Sequence, residues 1–309
     1  MRVAVIGVGA VGQHHARILA ELPDADLAAV VDRDPERARA IAALHGVPAL
    51  TDPGDLPRDL EAVSVAVPTS AHAAVVEACL ARGLAVLVEK PMAATLEEAS
   101  AMAAAAERAG RPLLVGHTER FNPAVRAAAP RVRDPRFIEA HRLGAFSSRS
   151  TDIDVVLDLM IHDLDVILGL VGSEVAAIDA VGVNALTDKV DIANARIRFE
   201  SGCVANVTAS RISTDKVRKL RIFQPDSYIS LDYAHREAQI TSLQPGPEGH
   251  PRIVREAMAV ADEEPLQAEL RAFLARVRGE DAPGVTARDG LRALQTALRI
   301  VEQIRPAGR

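Results

Sequence analysis

The chain carries two kinds of apolar pattern. Short runs rich in β-branched residues, Arg2–Ile6, Leu27–Val31, Ala62–Val67, Ala85–Val88 and Leu113–Val115, read as strands buried on both faces. Helical patterns alternate with them over Gln13–Leu22, Asp34–Leu44, Ala73–Arg82 and Thr95–Ala109. Two of these carry start signals: Pro35 in a first turn, and Thr95 with Glu98 as a capping box. Strand and helix in strict alternation predict βαβ units and a parallel sheet over residues 1–118.

Beyond residue 119 the pattern changes. Phe137–Leu143 alternates apolar and polar positions, and Val175–Val183, Ile192–Glu200, Val204–Ser210, Lys219–Gln224, Ser227–Asp232 and Ala238–Leu243 follow with short turns between. They predict one large sheet in a second domain, residues 119–309, closed by amphipathic helices Glu264–Arg278 and Ala287–Val301, with Arg305–Arg309 frayed. One stretch fits neither pattern. Thr151–Leu168, read as a helix, is apolar nearly all round and so expects burial. Yet Asp154, Asp158, His162 and Asp165 recur at steps of four, four and three along one stripe. That stripe is either a solvated face or a site.

Candidate chemistry appears first at the turn after the opening strand. Gly7-Val8-Gly9-Ala10-Val11-Gly12 is G-x-G-x-x-G in the strand–turn–helix setting that a dinucleotide site requires. Gly7 permits the tight turn, Gly9 lets backbone approach a pyrophosphate, and Gly12 allows close helix–strand packing. The phosphates would sit at the positive end of the helix. Asp32 ends the second strand, where a carboxylate hydrogen-bonds the ribose hydroxyls of NAD and repels the 2′-phosphate of NADP. Arg33 beside it can stack on adenine or tolerate that phosphate. NAD is the expected cofactor, and NADP stays open.

In an open parallel sheet, ligands bind beyond the carboxyl ends of the strands. Asp32, Pro68, Thr69, His72, Glu89, Lys90 and His117 lie at or just after such ends and together outline one crevice. Lys90 follows a buried-type strand and precedes Pro91. It is either a surface lysine or an ammonium poised to stabilise an alkoxide beside the nicotinamide.

Composition narrows the class. At 309 residues the chain suits two domains, and its 49% apolar and 25% charged shares are those of a soluble globular protein. A formal charge of −6, with few aromatics, argues against nucleic-acid binding. No run of eighteen apolar residues occurs, so no membrane span is expected. Met1-Arg2 runs straight into a strand and predicts no cleavable signal. Cys79 and Cys203 stand apart as small core residues, which suits a cytoplasmic protein. Residues 119–149 hold seven arginines against Glu119, Asp134 and Glu139, a basic stretch that is a solvated face or a seat for an anionic substrate.

GVGAVG, PTSAH, VEKP and the D-x-x-x-H of Asp158 and His162 resemble the Gfo/Idh/MocA oxidoreductases along essentially the whole chain. The resemblance implies an N-terminal Rossmann domain holding a nicotinamide, and a C-terminal α/β domain with a large, mostly antiparallel open sheet. It also implies a homodimer or homotetramer formed through that sheet. It assigns Lys90, Asp158 and His162 to catalysis and to contact with the substrate, and no metal. His162 would take the hydroxyl proton, its ordinary titration lying near neutral pH, with Asp158 orienting it. The segments GHTERFNP, HRL and STDIDVVLD resemble the nucleotide-sugar branch of the family. They imply a UDP-sugar substrate met by Arg120, Asn122, Arg142 and Arg149. A free-sugar or inositol dehydrogenase, a metal-dependent enzyme using Asp158, His162 and Asp165, and a non-catalytic NAD-binding regulator are the competing readings.

Overall fold

The computed structural model describes residues 1–146, 153–246 and 250–304. Contacts divide the chain into two compact units: Met1–Thr118 with Glu264–Leu291, and Glu119–Glu263 with the chain from Arg292 onward.

The first unit is built on six parallel strands, β1 (Arg2–Ile6), β2 (Asp26–Val31), β3 (Ala49–Leu50), β4 (Ala62–Val65), β5 (Ala85–Glu89) and β6 (Leu113–Gly116). Their order is β3-β2-β1-β4-β5-β6. Helices α1 (Gly12–Glu21), α2 (Pro35–His45), α3 (His72–Ala81) and α4 (Leu96–Ala109) make crossovers. Consecutive strand residues such as Val3–Ile6 and Ala85–Val88 are buried, as expected of a sheet covered on both faces. Asp34 caps α2 by accepting from the Glu36 and Arg37 N–H groups, and the Thr95–Glu98 capping box opens α4. Strand β3, only two residues long, left no pattern to read. The strand order reverses between β1 and β4, and a doubly wound sheet offers its crevice at such a reversal.

The second unit holds α5 (Pro123–Ala128), β7 (Phe137–Leu143), α6 (Ile161–Val171), β8 (Val175–Val183), β9 (Ile192–Phe199), β10 (Val204–Ser210), β11 (Val217–Gln224), β12 (Ser227–Asp232), β13 (Glu237–Pro245) and β14 (Pro251–Ala257). The eight strands form one sheet in the order β14-β13-β12-β11-β7-β10-β9-β8. Every neighbouring pair is antiparallel except β7 with β10. Strand β14 is not evident from the sequence because its residues are mostly exposed and show no apolar alternation.

Two helices return after the sheet. Helix α7 (Pro265–Val277) buries Leu270, Phe273 and Leu274 among Val3, Val5, Ile18 and Leu19, and Arg17 donates to Glu264 at its start (2.7 Å). The stretch 264–291 therefore packs with residues 1–118, whereas the sequence pattern groups it with the second domain. Helix α8 (Ala287–Ile304) contributes Ala293, Ala297 and Ile300 to the second core. There they meet Leu164, Ile167 and Leu168 of α6 and the inward residues Ile138, Ala140, Val207, Leu220 and Ile222 of the sheet. The other sheet face carries ion pairs such as Arg221–Glu139 (3.6 Å) and exposed Val181, Val183, Leu243 and Ile253. Among the described residues no helix is long and apolar enough to cross a membrane. Both cysteines are buried, and burial pushes their thiols up to about 11.

The helix expected over Thr151–Leu168 takes a different form. Residues 147–152 and 305–309 lie outside the described residues, and helical structure begins at Val155. Asp154 stands before it: its Oδ1 accepts the Val190 N–H (3.1 Å), while the Val155 N–H donates to the Val190 carbonyl (3.0 Å). Val156–Met160 is then π-helical, and the α-helical ladder starts at Ile161. The wider π turn breaks the 3.6-residue period, so the four polar residues do not form one stripe. Asp158 and His162 are half-buried, whereas Asp165 is wholly buried.

Candidate active site

The first unit opens a cleft of about 410 Å³ at the carboxyl ends of its strands. Gly7, Gly9, Ala10, Val11, Asp32, Arg33 and Pro68 line it, as the sequence predicts. Two glycines are dictated by space. Gly7 has φ +85°, and a Cβ there would lie 2.6 Å from the Ala66 carbonyl oxygen; at Gly12 it would lie 1.8 Å from the Gly7 carbonyl oxygen. Gly9 by contrast has nothing within 4 Å of where its Cβ would stand. Bare backbone thus faces the cleft ahead of α1, the surface on which a pyrophosphate rests. Val8 lies buried beneath the turn, and its N–H donates to Asp32 Oδ2 (3.0 Å). Asp32 also accepts the Asp34 N–H and a donor from Arg37 at 3.4 Å. The carboxylate therefore anchors the glycine turn as well as lining the ribose end. Arg37, Thr51 and Ala71 also line the cleft and escape the sequence pattern, because each belongs to a segment that reads only as an ordinary helix or loop.

Thr69 begins the short turn Thr69–Ala71 beside this cleft. His72, expected at the cofactor, is instead turned inward and 1% exposed. Its Nε2 lies 2.9 Å from the Val67 carbonyl and its Nδ1 3.0 Å from the Pro91 carbonyl. The ring is a strut between the loops after β4 and β5. Burial lowers its titration below the ordinary imidazole value, and the carbonyl contacts only partly oppose this.

Glu89 ends β5 and Lys90 follows it, and neither lines the cleft. Glu89 is held by a residue that carries no motif in the sequence. His15, wholly buried on α1, donates from Nε2 to Glu89 Oε1 (3.1 Å), and its Nδ1 pairs with the Ser64 hydroxyl (2.7 Å). The Lys90 N–H donates to Glu89 Oε2 (3.2 Å). Burial alone would raise the Glu89 carboxyl, but His15 and the Lys90 ammonium hold it below the usual range. An ionised, fixed carboxylate thus sets the backbone that carries Lys90. A polar residue between buried Gly12 and Ala16 was the available signal. His117 is buried just past β6, its N–H donating to the Val115 carbonyl (2.8 Å).

In the second unit Asp158 and Leu159 line a cleft of about 320 Å³ with Arg142, Leu143, Gly144, Arg211, Lys216 and Arg218. Three residues expected at the substrate have other duties. Arg142 is 4% exposed; it donates to both oxygens of Asp163 (2.7 and 3.1 Å) and to Glu119 (3.0 Å), with its guanidinium over the Tyr233 ring at 5.4 Å. Burial disfavours that cation, but the two carboxylates outweigh it and raise its titration above the ordinary value. Arg120 makes a two-pronged pair with buried Asp165 (2.8 and 3.0 Å). Asn122 caps α5 by accepting the Ala124 N–H, and donates to the Tyr233 carbonyl. For the two arginines the reason is the same. Carboxylates on a buried helix need full partners, and the nearby polar side chains supply them. Asp163, an acid amid an apolar run, was the signal available in the sequence. Asp165, committed to Arg120, is not available to join Asp158 and His162 around a metal. Arg149 lies outside the described residues.

A glycine-turn dinucleotide cleft on a 3-2-1-4-5-6 parallel sheet, followed by a largely antiparallel eight-stranded sheet, defines a two-domain NAD-binding oxidoreductase. The chain belongs to the GFO/IDH/MocA family: residues 1–117 match its NAD-binding Rossmann domain and residues 124–225 its C-terminal domain. It is 38% identical over 302 residues to UDP-N-acetylglucosamine 3-dehydrogenase of Acidithiobacillus ferrooxidans, covering 97% of this chain and 96% of that one. The solved structure of that enzyme superposes with a TM-score of 0.92 at 37% identity, covering 98% of this chain and 97% of that one. Myo-inositol 2-dehydrogenase of Thermotoga maritima is 27% identical, with 95% of this chain and 93% of that one covered. The protein is an NAD-dependent sugar oxidoreductase acting on a CH–OH group.

Two tests follow from these assignments. Arg142→Ala leaves Asp163 and Glu119 buried without their cation, so denaturant unfolding should show a loss of about 3–5 kcal/mol; unchanged stability with a raised KM would instead make Arg142 a substrate ligand. For His72, the unfolded chain gains a proton as pH falls through about 6.5 while the folded chain resists it. Stability should therefore fall as pH drops from neutrality through that value, and His72→Gln should flatten that slope in thermal melts. An equal slope in both proteins would refute the inward strut.

Proposed function

We propose that the protein oxidises the 3-hydroxyl of UDP-N-acetylglucosamine with NAD, in the cytoplasm. The single observation that carries this reading is the 38% likeness along 97% of the chain to an enzyme of that name. When bound, the nicotinamide accepts the hydride of the alcohol carbon. This chain's residues do the rest. His162 takes the hydroxyl proton as general base, and Asp158 orients the imidazole or balances its charge. Lys90, its backbone fixed through Glu89 and His15, stabilises the alkoxide. The buried carboxylate of Asp32 favours NAD over NADP by repelling a 2′-phosphate. The 3-keto sugar formed suits an aminotransferase as the next step, as in lipid A or nucleotide-sugar biosynthesis. The open sheet face exposes Val181 and Val183 near one edge and Leu243 and Ile253 near the other, and we propose that it pairs with a second copy.

The test is reduced-nicotinamide absorbance with NAD and a panel of UDP-N-acetylglucosamine, UDP-glucose, inositol and glucose, with an aminotransferase and glutamate to trap the ketone. UDP-N-acetylglucosamine should be the preferred substrate. His162→Ala and Lys90→Ala should each lower kcat by about 10²–10⁴-fold with NAD affinity kept. Turnover of inositol or glucose alone would contradict the nucleotide-sugar reading, and near wild-type turnover in both variants would contradict the acid–base assignment. Light scattering on the same sample should report a dimer or tetramer; a monomer would contradict the pairing of sheets.

A further inference from the structure

We infer that Lys216 and Arg218, at the start of β11, form the subsite that grips the diphosphate of a nucleotide-linked sugar. The inference rests on the substrate reading above. Sheet register pairs Arg218 with Arg142. Arg218 also shares the parity of Leu220 and Ile222, which are wholly buried against the helical layer. Its side chain and that of Lys216 accordingly line the cleft that contains Asp158 and Leu159.

Charge accounting in this cleft singles the two out. Arg142 is neutralised by Asp163 and Glu119. Arg211 is 5% exposed, sits 3.8 Å from Asp191, and donates to the carbonyls of Ile153 and Val190. Neither Lys216 nor Arg218 has a carboxylate within ion-pair distance among the described residues. Their strand neighbours on the opposite face differ: Lys219 pairs with Asp232 (3.7 Å) and Arg221 with Glu139 (3.6 Å). Among the described residues, the fold thus pairs Lys219 and Arg221 on the outer face and leaves Lys216 and Arg218 without an ion pair on the face that carries Asp158. Two cations beside a half-buried carboxylate suit a ligand with a dianionic segment attached to a neutral polyol. A free sugar or inositol has no charge for them to meet. An arginine offers a diphosphate paired N–H donors, and a lysine two residues away adds a point charge.

The experiment is calorimetric titration of UDP and of NAD into wild type, Lys216→Ala, Arg218→Ala, Arg218→Lys and the Lys216→Glu/Arg218→Glu double variant. Steady-state kinetics with UDP-N-acetylglucosamine accompany it. UDP affinity should fall about tenfold in each alanine variant and about a hundredfold or more in the charge-reversed protein, and should recover in part with Arg218→Lys. NAD affinity should be unchanged, and KM should rise with kcat retained at saturation. Wild type that does not bind UDP, or a charge-reversed protein that binds it as tightly as wild type, overturns the subsite. So does a loss of NAD affinity in place of UDP affinity. If UDP binding behaves as expected but UDP-N-acetylglucosamine is not oxidised, the subsite stands and the substrate reading fails. If UDP-N-acetylglucosamine is oxidised with an unchanged KM in every variant, the substrate reading stands and the subsite fails.

Discussion

Buried charge on an apolar helix constrains the second unit more than any other feature. Asp163 and Asp165 lie at 1% and 0% exposure, where an unpaired carboxylate would be costly. Arg142 and Arg120 resolve that cost with two-pronged hydrogen bonds to Asp163 and Asp165, and in doing so tie the start of this unit and β7 to α6. Because those partners are fully engaged, Asp158 and His162 are the polar residues of the helix left half-buried. The π-helical stretch that carries Asp158 begins two residues after Asp154, which is held before the helix by Val190. The ion pairs therefore separate wholly buried, paired acids from the half-buried Asp158 within a short run of chain.

The first unit solves a different problem with backbone. Its glycine turn admits no side chain at Gly7 or Gly12, and Asp32 holds that turn through the Val8 N–H. At the end of β5, Glu89 and His15 of α1 form a second fixed pair beside the Lys90 backbone. In both units buried carboxylates with bonded partners fix the backbone beside a residue proposed to act on the ligand. Rigid support of this kind is what positional catalysis requires.

Much of this was legible in the sequence. Strand–helix alternation, the glycine turn, the caps at Asp34 and Thr95, and the alternation of Phe137–Leu143 are local signals, and local signals survive into the fold. What escaped was decided at a distance. Arg120 and Arg142 read as free cations in the sequence, and only the fold shows Asp165 and Asp163 paired with them, Arg142 at the edge of the Asp158 cleft. Asn122 looks polar and available until it caps α5. His72 sits at a strand end, as a ligand would, yet turns inward to carbonyls at Val67 and Pro91. Residues 264–291 show an amphipathic helix but not which core it joins. Periodicity reports that a face is buried, and is silent on the partner.

Direct transfer of hydrogen from a sugar carbon to the cofactor is the central claim, and isotope labelling tests it most directly. UDP-N-acetylglucosamine carrying deuterium at C3 of the sugar would be incubated with the enzyme and NAD, and the reduced cofactor weighed by mass spectrometry. One deuterium should appear in the reduced cofactor and none in water. Reduced cofactor without label, or label found in solvent, would contradict it.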